Sequence, residues 1–383
     1  MKKFLLVLSH ILVAAIAVVI TLAVTLNTMP DRYSKLEQLQ YYIDQLFIGE
    51  VDHTAIEDAA ANAMVDALGD RWSYYLSAVE YETYMEQMNN SYVGVGITVS
   101  LREDGTGIDV LDVTANGPAE AAGIMTGHVI IAVEGQSVVG MTLDDVRNLI
   151  KGEAGTRVQI TLRNSDGEYT VSVERRQIKT PVATGTMLPG NVGLVTIVNF
   201  DSRCYSETVA VIETLKLEGA TKLIFDVRNN PGGYKDELVK LLDYLLPECV
   251  LFRSEYYNGK TETDMSDARC LDMPMAVLVN GNSYSAAEFF AVALQEYDKA
   301  VVVGTKTTGK GYFQQTYQLS DGSAVGLSVG KYYTPNGISL EGVGITPDVI
   351  EEVDAATEMA IYYGQLAPLD DPQIVAALAA LNG

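Results

Sequence analysis

Residues Met273–Thr305, "MPMAVLVNGNSYSAAEFFAVALQEYDKAVVVGT", contain the pattern that decides the fold. The apolar run "AVLV" is followed by a polar loop, by the helical segment "AAEFFAVALQEY" and by a second apolar run, "AVVVGT". Short apolar runs that do not alternate with polar residues are typical of strands buried on both faces of a sheet. A strand, a helix and a second strand in this order predict a parallel βαβ unit.

The same alternation of strands and helices extends over residues 179–353, which we predict to be one α/β domain. "GLVTIVNF" predicts a strand, "SETVAVIETLKLEGA" a helix, "KLIFDVRNNPGG" a strand that runs into a turn, and "ELVKLLDYLL" a helix. Ligands of such sheets bind where strands end and loops enter helices. We therefore expect the functional loops at residues 229–233 and 281–287.

The composition of the chain limits the classes of function that it can have. With 383 residues, of which 48% are hydrophobic and 20% charged, it is a globular chain of two or three domains. Lys and Arg number 26 against 50 Asp and Glu, and the resulting net charge of −24 disfavours binding to nucleic acid. The three cysteines, Cys204, Cys249 and Cys270, form no C-x-x-C pair and are expected to be core thiols.

The amino terminus contains an apolar run from Phe4 to Leu26, directly after Met1-Lys2-Lys3. This run is long enough to cross a bilayer, which takes about 20 residues, whereas the apolar part of a cleavable signal has about 7–15. We predict an uncleaved signal-anchor over residues 1–28, with a cleaved signal peptide as the alternative. Lys2 and Lys3 would keep the short terminus in the cytoplasm, which places the rest of the chain on the extracytoplasmic side of the cell membrane.

Residues 29–88 and 354–383 are predicted to be helical segments at the two ends of the globular part. In the first, Leu36, Leu39 and Leu46 belong to an apolar stripe with helical spacing, and Asp52 is placed to cap a second helix. This arm either packs on the protein or forms a dimer contact. The carboxyl-terminal segment either closes the α/β domain or packs on the arm.

Residues 89–178 change to short β runs, with one helix in "TLDDVRNLIKG" and a hairpin turned at Ser165-Asp166-Gly167. The segment "GVGI", followed by "NGPAEAAGIMTGHVIIAVEGQSV", resembles a PDZ domain. The resemblance implies that the backbone N–H groups of one loop bind the C-terminal carboxylate of a peptide, which adds to the sheet as an extra strand. The residues of that carboxylate-binding loop are Gly94, Val95, Gly96 and Ile97.

The stretch "GTKTTGKGYF", Gly304–Phe313, begins like a phosphate-binding loop, G-x-x-x-x-G-K. Such a loop needs Ser or Thr after the lysine and a helix behind it. Gly311 follows Lys310, and the next residues, "YFQQTYQLSDGSAVGLSVGKYY", predict a β-hairpin. Nucleotide binding is therefore excluded, and Lys310 needs another explanation.

Histidine is not available as a catalytic base in the α/β domain, since His10, His53 and His128 all lie outside it. A lysine can replace histidine where burial lowers its pKa, and Lys310 has small and apolar neighbours without a carboxylate. Ser283 and Ser285 are both candidate nucleophiles in the loop before the helix, and each is also a candidate helix N-cap. The N–H group of Ala286 lies at the amino end of that helix, where an oxyanion is favoured.

The segment "GNSYSAAEFFAVALQEYDKAVVVGTKTTGKGYFQQ" resembles the catalytic core of the carboxyl-terminal processing peptidases, or tail-specific proteases. This is serine peptidase family S41 with an inserted PDZ domain, and the resemblance runs from about residue 35 to the end. It implies that Ser285 is the nucleophile, that Lys310 is the base, and that Gln314 orients the lysine amine. The family's Ser–Lys spacing of 25 matches, since 310 − 285 = 25.

"DVRNNPGG" resembles the oxyanion-hole loop of that family and implies that the N–H of Gly232 or Gly233 is paired with that of Ala286. The chain departs from the family at Tyr284, where a small alanine is usual, and this departure concerns substrate preference. The resemblance also implies a homodimer and a PDZ domain that gates activity, with Arg175 or Arg176 as candidate gate residues.

The sequence thus predicts an α/β serine peptidase core with an inserted β-rich PDZ domain, a helical amino-terminal arm and a transmembrane helix. Its expected partners are protein substrates, bound by their C-termini, and the membrane. Catalysis by serine and lysine needs neither a metal nor a cofactor. The alternative function is a catalytically silent, membrane-tethered PDZ scaffold.

Overall fold

The computed structural model describes Ile16 and residues 34–102 and 104–382. The predicted signal-anchor over residues 1–28 lies outside the described residues, apart from Ile16. Within the described ranges, no helix combines the length and the apolar character that crossing a bilayer requires. The chain divides into two compact units, with the boundary between Met64 and Val65.

The first unit contains helix α1, Ser34–Leu46, and most of helix α2, His53–Asp66. The Asp52 carboxylate accepts a hydrogen bond from the Ala55 N–H at 3.0 Å, as predicted for a capping residue. The apolar stripe of α1 is exposed at Leu36, Leu39 and Leu46.

The second unit contains the remaining elements. In its first part these are β1 Tyr74–Leu76, α3 Ala78–Met88, β2 Ser91–Gly94, β3 Ile97–Leu101, β4 Ile108–Val113, α4 Pro118–Ala121, β5 Val129–Val133, β6 Gln136–Ser137, α5 Leu143–Ile150, β7 Arg157–Asn164, β8 Gly167–Glu174 and β9 Arg176–Lys179. There follow β10 Ala183–Leu188, β11 Val192–Ile197, α6 Cys204–Leu217, β12 Lys222–Asp226, α7 Lys235–Leu245, β13 Val250–Tyr256, β14 Thr261–Met265, β15 Met275–Val279, α8 Ala286–Glu296, β16 Ala300–Gly304, β17 Tyr312–Gln318, β18 Ala324–Tyr333, β19 Val349–Ile350, α9 Ala355–Tyr362, a 3-10 turn Pro368–Asp370 and α10 Pro372–Ala380.

The central sheet has the order β10-β11-β12-β15-β16-β19, and all its pairs are parallel except β10–β11. The predicted βαβ unit is therefore confirmed as β15, α8 and β16. Helices α6, α7 and α8 cover one face, where Phe290 packs against Phe200 and Phe225. On the other face Ile374 and Ala377 of α10 complete a second apolar cluster, so the carboxyl-terminal segment closes this domain.

A second sheet stands beside the first, with the order β1-β18-β13-β14 and β17 paired to β18. The predicted hairpin of β17 and β18 is confirmed, with its turn at Asp321-Gly322. Strands β13 and β14 were not predicted from the sequence. This sheet matters for the site because β17 begins two residues after Lys310.

The prediction that residues 29–88 are helical is wrong at Tyr74–Leu76, which form strand β1. These three residues, two of them aromatic, favour a strand. They pair antiparallel with β18, and β1 stands at one end of the strand order. Gly326 lies opposite Tyr74, and a Cβ atom at Gly326 would lie 2.3 Å from the Tyr74 ring. The absent side chain leaves the room that the tyrosine ring occupies.

Residues 97–174 form the β-rich module, a sheet with the order β3-β4-β5-β7-β8 and its own apolar core. The helix α5 starts as predicted, because the Thr142 hydroxyl accepts the Asp145 N–H at 3.2 Å. The predicted hairpin of β7 and β8 is also present. Among the strands that the structure describes, β3 pairs only with β4, so one edge of the sheet is open in the described chain.

Candidate active site

The loop between β15 and α8 places Ser285 at a sharply turned position, with φ +58° and ψ −124°. A positive φ is uncommon for serine, and such strain is kept only where the surroundings hold it. Ser283 is fully buried, and its hydroxyl donates to the Val227 carbonyl oxygen at 2.7 Å. Ser285 instead lines a cavity of about 630 Å³. The hydroxyl of Ser283 is thus engaged in the protein interior, whereas Ser285 is the serine of this loop that lines the cavity.

Lys310 lines the same cavity from the loop between β16 and β17. Its Nζ atom lies 5.0 Å from the ring centre of Trp72 and 5.7 Å from that of Tyr284. Burial lowers the pKa of the Lys310 amine from 10.5 to about 8, although the carboxylates of Glu341, Asp70 and Glu288 act in the opposite direction. A substantial fraction of the amine is therefore neutral in mildly alkaline solution.

A single buried carboxylate connects the backbones of these two residues. Oε2 of Glu288 accepts the N–H of Ser285 at 3.0 Å and the N–H of Lys310 at 2.8 Å. Its Oε1 accepts the Thr307 hydroxyl at 2.5 Å and the Gly309 N–H at 2.7 Å. A role for Glu288 was not predicted from the sequence. The available signal was an acid inside the otherwise apolar helix "AAEFFAVAL", where a charge must find partners.

The loop after β12 lies directly against the serine. A Cβ atom at Gly232 would lie 2.8 Å from Cβ of Ser285 and 2.9 Å from the Ala286 nitrogen. The Gly232 N–H donates to Oδ1 of Asn230 at 2.8 Å. Among the described residues, the N–H groups of Gly233 and Ala286 have no acceptor, and Gly233 lines the cavity.

Gln314 also lines the cavity, but its amide is engaged elsewhere. Nε2 donates to the Ser328 hydroxyl at 3.0 Å and to the Tyr312 carbonyl oxygen at 3.4 Å. Within the part of the chain that the structure describes, no hydrogen bond joins Gln314 to the Lys310 amine, and none joins that amine to Ser285. Hydrogen bonds between active-site residues are commonly long before a substrate binds. What brings Ser285, Lys310 and Gln314 together is the one cavity that all three line.

A second group of side chains contacts the loop that carries Lys310, residues 305–311, and holds it in place. Arg71 donates to the Gly309 carbonyl oxygen at 2.8 Å and stacks on Trp72, with 4.1 Å between its Cζ atom and the ring centre. Glu341 accepts the Trp72 indole N–H at 2.9 Å and the Gly311 N–H at 2.8 Å. This group was not predicted from the sequence, because its members come from distant parts of the chain. The one tryptophan in the sequence was the available signal.

The predicted carboxylate-binding loop, Gly94 to Ile97, borders a different cavity, of about 390 Å³, between β3 and α5. Gly96 has φ +78°, a conformation that suits glycine. Among the described residues no acceptor is found for the N–H groups of Val95 and Gly96. The loop therefore presents two adjacent free donors to this groove. Arg175 does not reach solvent freely, because it is buried and donates to the Ile150 carbonyl oxygen at 2.6 Å.

A parallel α/β core, a β-rich module with an open edge strand, and a serine and a lysine facing one cavity together define a peptidase core with a PDZ domain. Residues 191–351 match the model of peptidase family S41, and residues 110–164 match that of the PDZ domain. A "Probable CtpA-like serine protease" of Staphylococcus saprophyticus is 30% identical over 353 residues, which cover 90% of this chain and 71% of that protein. The chain belongs to the serine peptidases of family S41.

Two further proteins are similar to this chain. A CtpA-like serine protease of Staphylococcus epidermidis is 32% identical over 319 residues, covering 82% of this chain and 64% of that protein. The chain thus spans about two thirds of the length of these curated relatives. A solved structure from Bacteroides fragilis that carries an S41 protease assignment has a TM-score of 0.56 at 20% identity, covering 90% of this chain and 94% of that one, and it shares the fold.

Replacing Gly232 by alanine tests how closely the loop after β12, residues 227–234, must approach Ser285. The new Cβ would push against Ser285 and Ala286, and a displacement of about 1 Å at a reacting centre can cost roughly 100-fold in rate. We expect Gly232→Ala to lower kcat/KM for β-casein by about that factor. Gly190→Ala is the matched control, since Gly190 also has a positive φ, +80°, but no neighbour within 4 Å. Equal activity of the two variants would contradict the close approach.

Proposed function

We propose that this protein is an endopeptidase that binds the C-terminal tails of protein substrates through its PDZ domain and cleaves them with Ser285 and Lys310. The observation that carries the proposal is the Glu288 carboxylate, which binds the backbone N–H groups of both residues and so fixes their loops together. A structural scaffold has no need for a strained serine and a lysine of lowered pKa in one cavity.

In the proposed mechanism, neutral Lys310 takes the proton of Ser285 Oγ as that oxygen attacks the peptide carbonyl carbon. The N–H groups of Ala286 and Gly233 stabilise the oxyanion. Gly233 is preferred to Gly232 because the N–H of Gly232 already donates to Asn230. The Lys310 ammonium then protonates the leaving amine, and water, activated by the same lysine, hydrolyses the acyl-enzyme. Gln314 is proposed to turn towards the lysine amine when a substrate is bound.

Recognition of the tail is proposed to follow from the open edge of β3. An extended peptide can pair with this strand, and its carboxylate then reaches the N–H groups of Val95 and Gly96. A peptide bound in this way has a defined direction, so that the chain upstream of its C-terminus is the part that reaches Ser285.

The location and assembly of the protein are also proposals. The apolar run from Phe4 to Leu26 after two lysines supports a single amino-terminal span with the catalytic part outside the cytoplasm. The exposed leucines of α1 support a homodimer that is formed through the arm.

Digestion of β-casein by the wild-type protein and by Ser285→Ala tests the peptidase function. We expect the wild type to cleave and the variant to lose at least about 1,000-fold of the rate, since no other nucleophile lines the described part of the cavity in an equivalent position. If both proteins leave casein intact, with and without an added C-terminal peptide, the PDZ scaffold becomes the better explanation.

The pH dependence of kcat/KM tests Lys310 as the base. The amine must be neutral to accept a proton, so activity should rise with pH through an ionisation near the lowered pKa of about 8 and then level off. An arginine keeps its positive charge throughout this pH range. We therefore expect Lys310→Arg to lose the activity and, with it, the rise of kcat/KM with pH. An unchanged profile in Lys310→Arg would exclude the lysine as base.

The variant Glu288→Gln tests whether the buried carboxylate positions and tunes the lysine. Its negative charge raises the pKa of Lys310, so neutralising it should move the rising limb of the pH profile to lower pH. Weaker hydrogen bonds to Ser285 and Lys310 should also lower kcat by roughly 10-fold or more. Glu237→Gln is the control, because Glu237 is also buried and accepts a backbone N–H, from Tyr205, away from the cavity. A lower kcat without movement of the limb would reduce Glu288 to a structural role.

A further inference from the structure

The groove of the PDZ domain has a fixed direction relative to helix α5. The Ile150 carbonyl oxygen, at the end of α5, accepts a hydrogen bond from Arg175, and the next residue, Arg176, pairs with Gly94. The carboxyl-terminal end of α5 therefore lies beside the carboxylate-binding loop. A tail that enters the loop with its carboxylate must run back along α5 towards the start of this helix.

Two cations, Arg147 in α5 and Lys151 directly after its end, line this groove in a protein whose net charge is −24. Arg147 and Lys151 are four residues apart and so lie on one face of the helix. Arg147 pairs with Asp144 at 3.0 Å, but both side chains are exposed and such pairs are weak. Glu86, the one carboxylate that lines the groove among the described residues, accepts the Val93 N–H at 3.2 Å.

The positions of these cations assign each of them to one part of a bound tail. Lys151 follows the end of α5 and is nearest to the carboxylate, whereas Arg147 lies about one helical turn, about 5.4 Å, further back. Two residues of an extended strand advance about 6.6 Å and bring the side chain to the same face again. Arg147 therefore faces the third residue from the end of the tail, while Ile97 and Ile150 surround the last residue.

We propose, on the basis of the function proposed above, that this PDZ domain selects tails with an apolar last residue and an aspartate or glutamate at the third position from the end. The catalytic cavity is compatible with such tails. Its lining in the described chain contains Arg71 and Lys310 but no carboxylate side chain. The PDZ groove, with Arg147 and Lys151, is thus a place on an acidic protein that favours the approach of acidic segments.

Fluorescence anisotropy with two labelled peptides tests the proposal on the full-length Ser285→Ala protein, which does not consume them. The peptides end in the same apolar residue and differ only by glutamate or lysine at the third position from the end. We expect the glutamate peptide to bind about 10-fold more tightly at low salt, and the difference to shrink as salt is added. Arg147→Glu should reverse the preference and Arg147→Gln should remove it. Arg163→Glu is the control, since Arg163 is exposed on β7, three strands from β3.

The outcomes separate this inference from the proposed function. Equal affinities for the two peptides, or a preference that persists in Arg147→Glu, would overturn the acidic-tail selection while tail binding itself stands. Loss of binding when the C-terminus is amidated supports carboxylate recognition. Failure of both free peptides to bind the Ser285→Ala protein would overturn both the selection and the recognition of tails by the PDZ domain.

Discussion

The buried carboxylate of Glu288 is the interaction on which the site depends. A fully buried charge is costly unless strong donors surround it, and here four donors from two loops do so. The cost of leaving this carboxylate without partners forces the loop around Ser285 and the loop before β17 into one arrangement. The unfavourable φ of Ser285 is maintained in the same way, because its N–H is one of the four donors.

The loop after β12, residues 227–234, is held in place by contacts of its own. Asn229, which has φ +58°, accepts hydrogen bonds from the side-chain amides of Asn280 and Asn282, so this loop and the serine loop share one amide network. Arg228, buried in the same loop, pairs with Asp226 at 2.6 Å and with Asp371 at 2.8 Å. Asp371 caps α10, so the carboxyl-terminal helix supports the loop that faces the serine. The role of α10 in the fold therefore extends to the cavity that Ser285 lines.

The parallel core and the hairpin after Lys310 could be predicted from strong periodicity and local turn signals, and the PDZ domain from its resemblance to that family. Strands β13 and β14 were not predicted, because "VLFRSEY" and "TETDM" contain too many polar residues for the pattern of a buried strand. The spacing of Ser285 and Lys310 could be recognised as a motif. Contacts such as that of Trp72 with Glu341 join residues 269 positions apart, and no local pattern contains them. The preference for the N–H of Gly233 over that of Gly232 as the proposed oxyanion donor depends on the Asn230 side chain. A sequence does not give the direction of that side chain.

The position of Trp72 has a consequence for spectroscopy. It is the one tryptophan in the chain, and its ring lies 5.0 Å from the lysine amine and packs against Tyr284. Indole emission from this protein therefore arises at a single place, the wall of the cavity that Ser285 and Lys310 share. Solvent entry, protonation of the amine and arrival of a peptide all change the surroundings of this ring. The protein carries an intrinsic fluorophore that reports, without any label, the state of the cavity that Ser285 and Lys310 line.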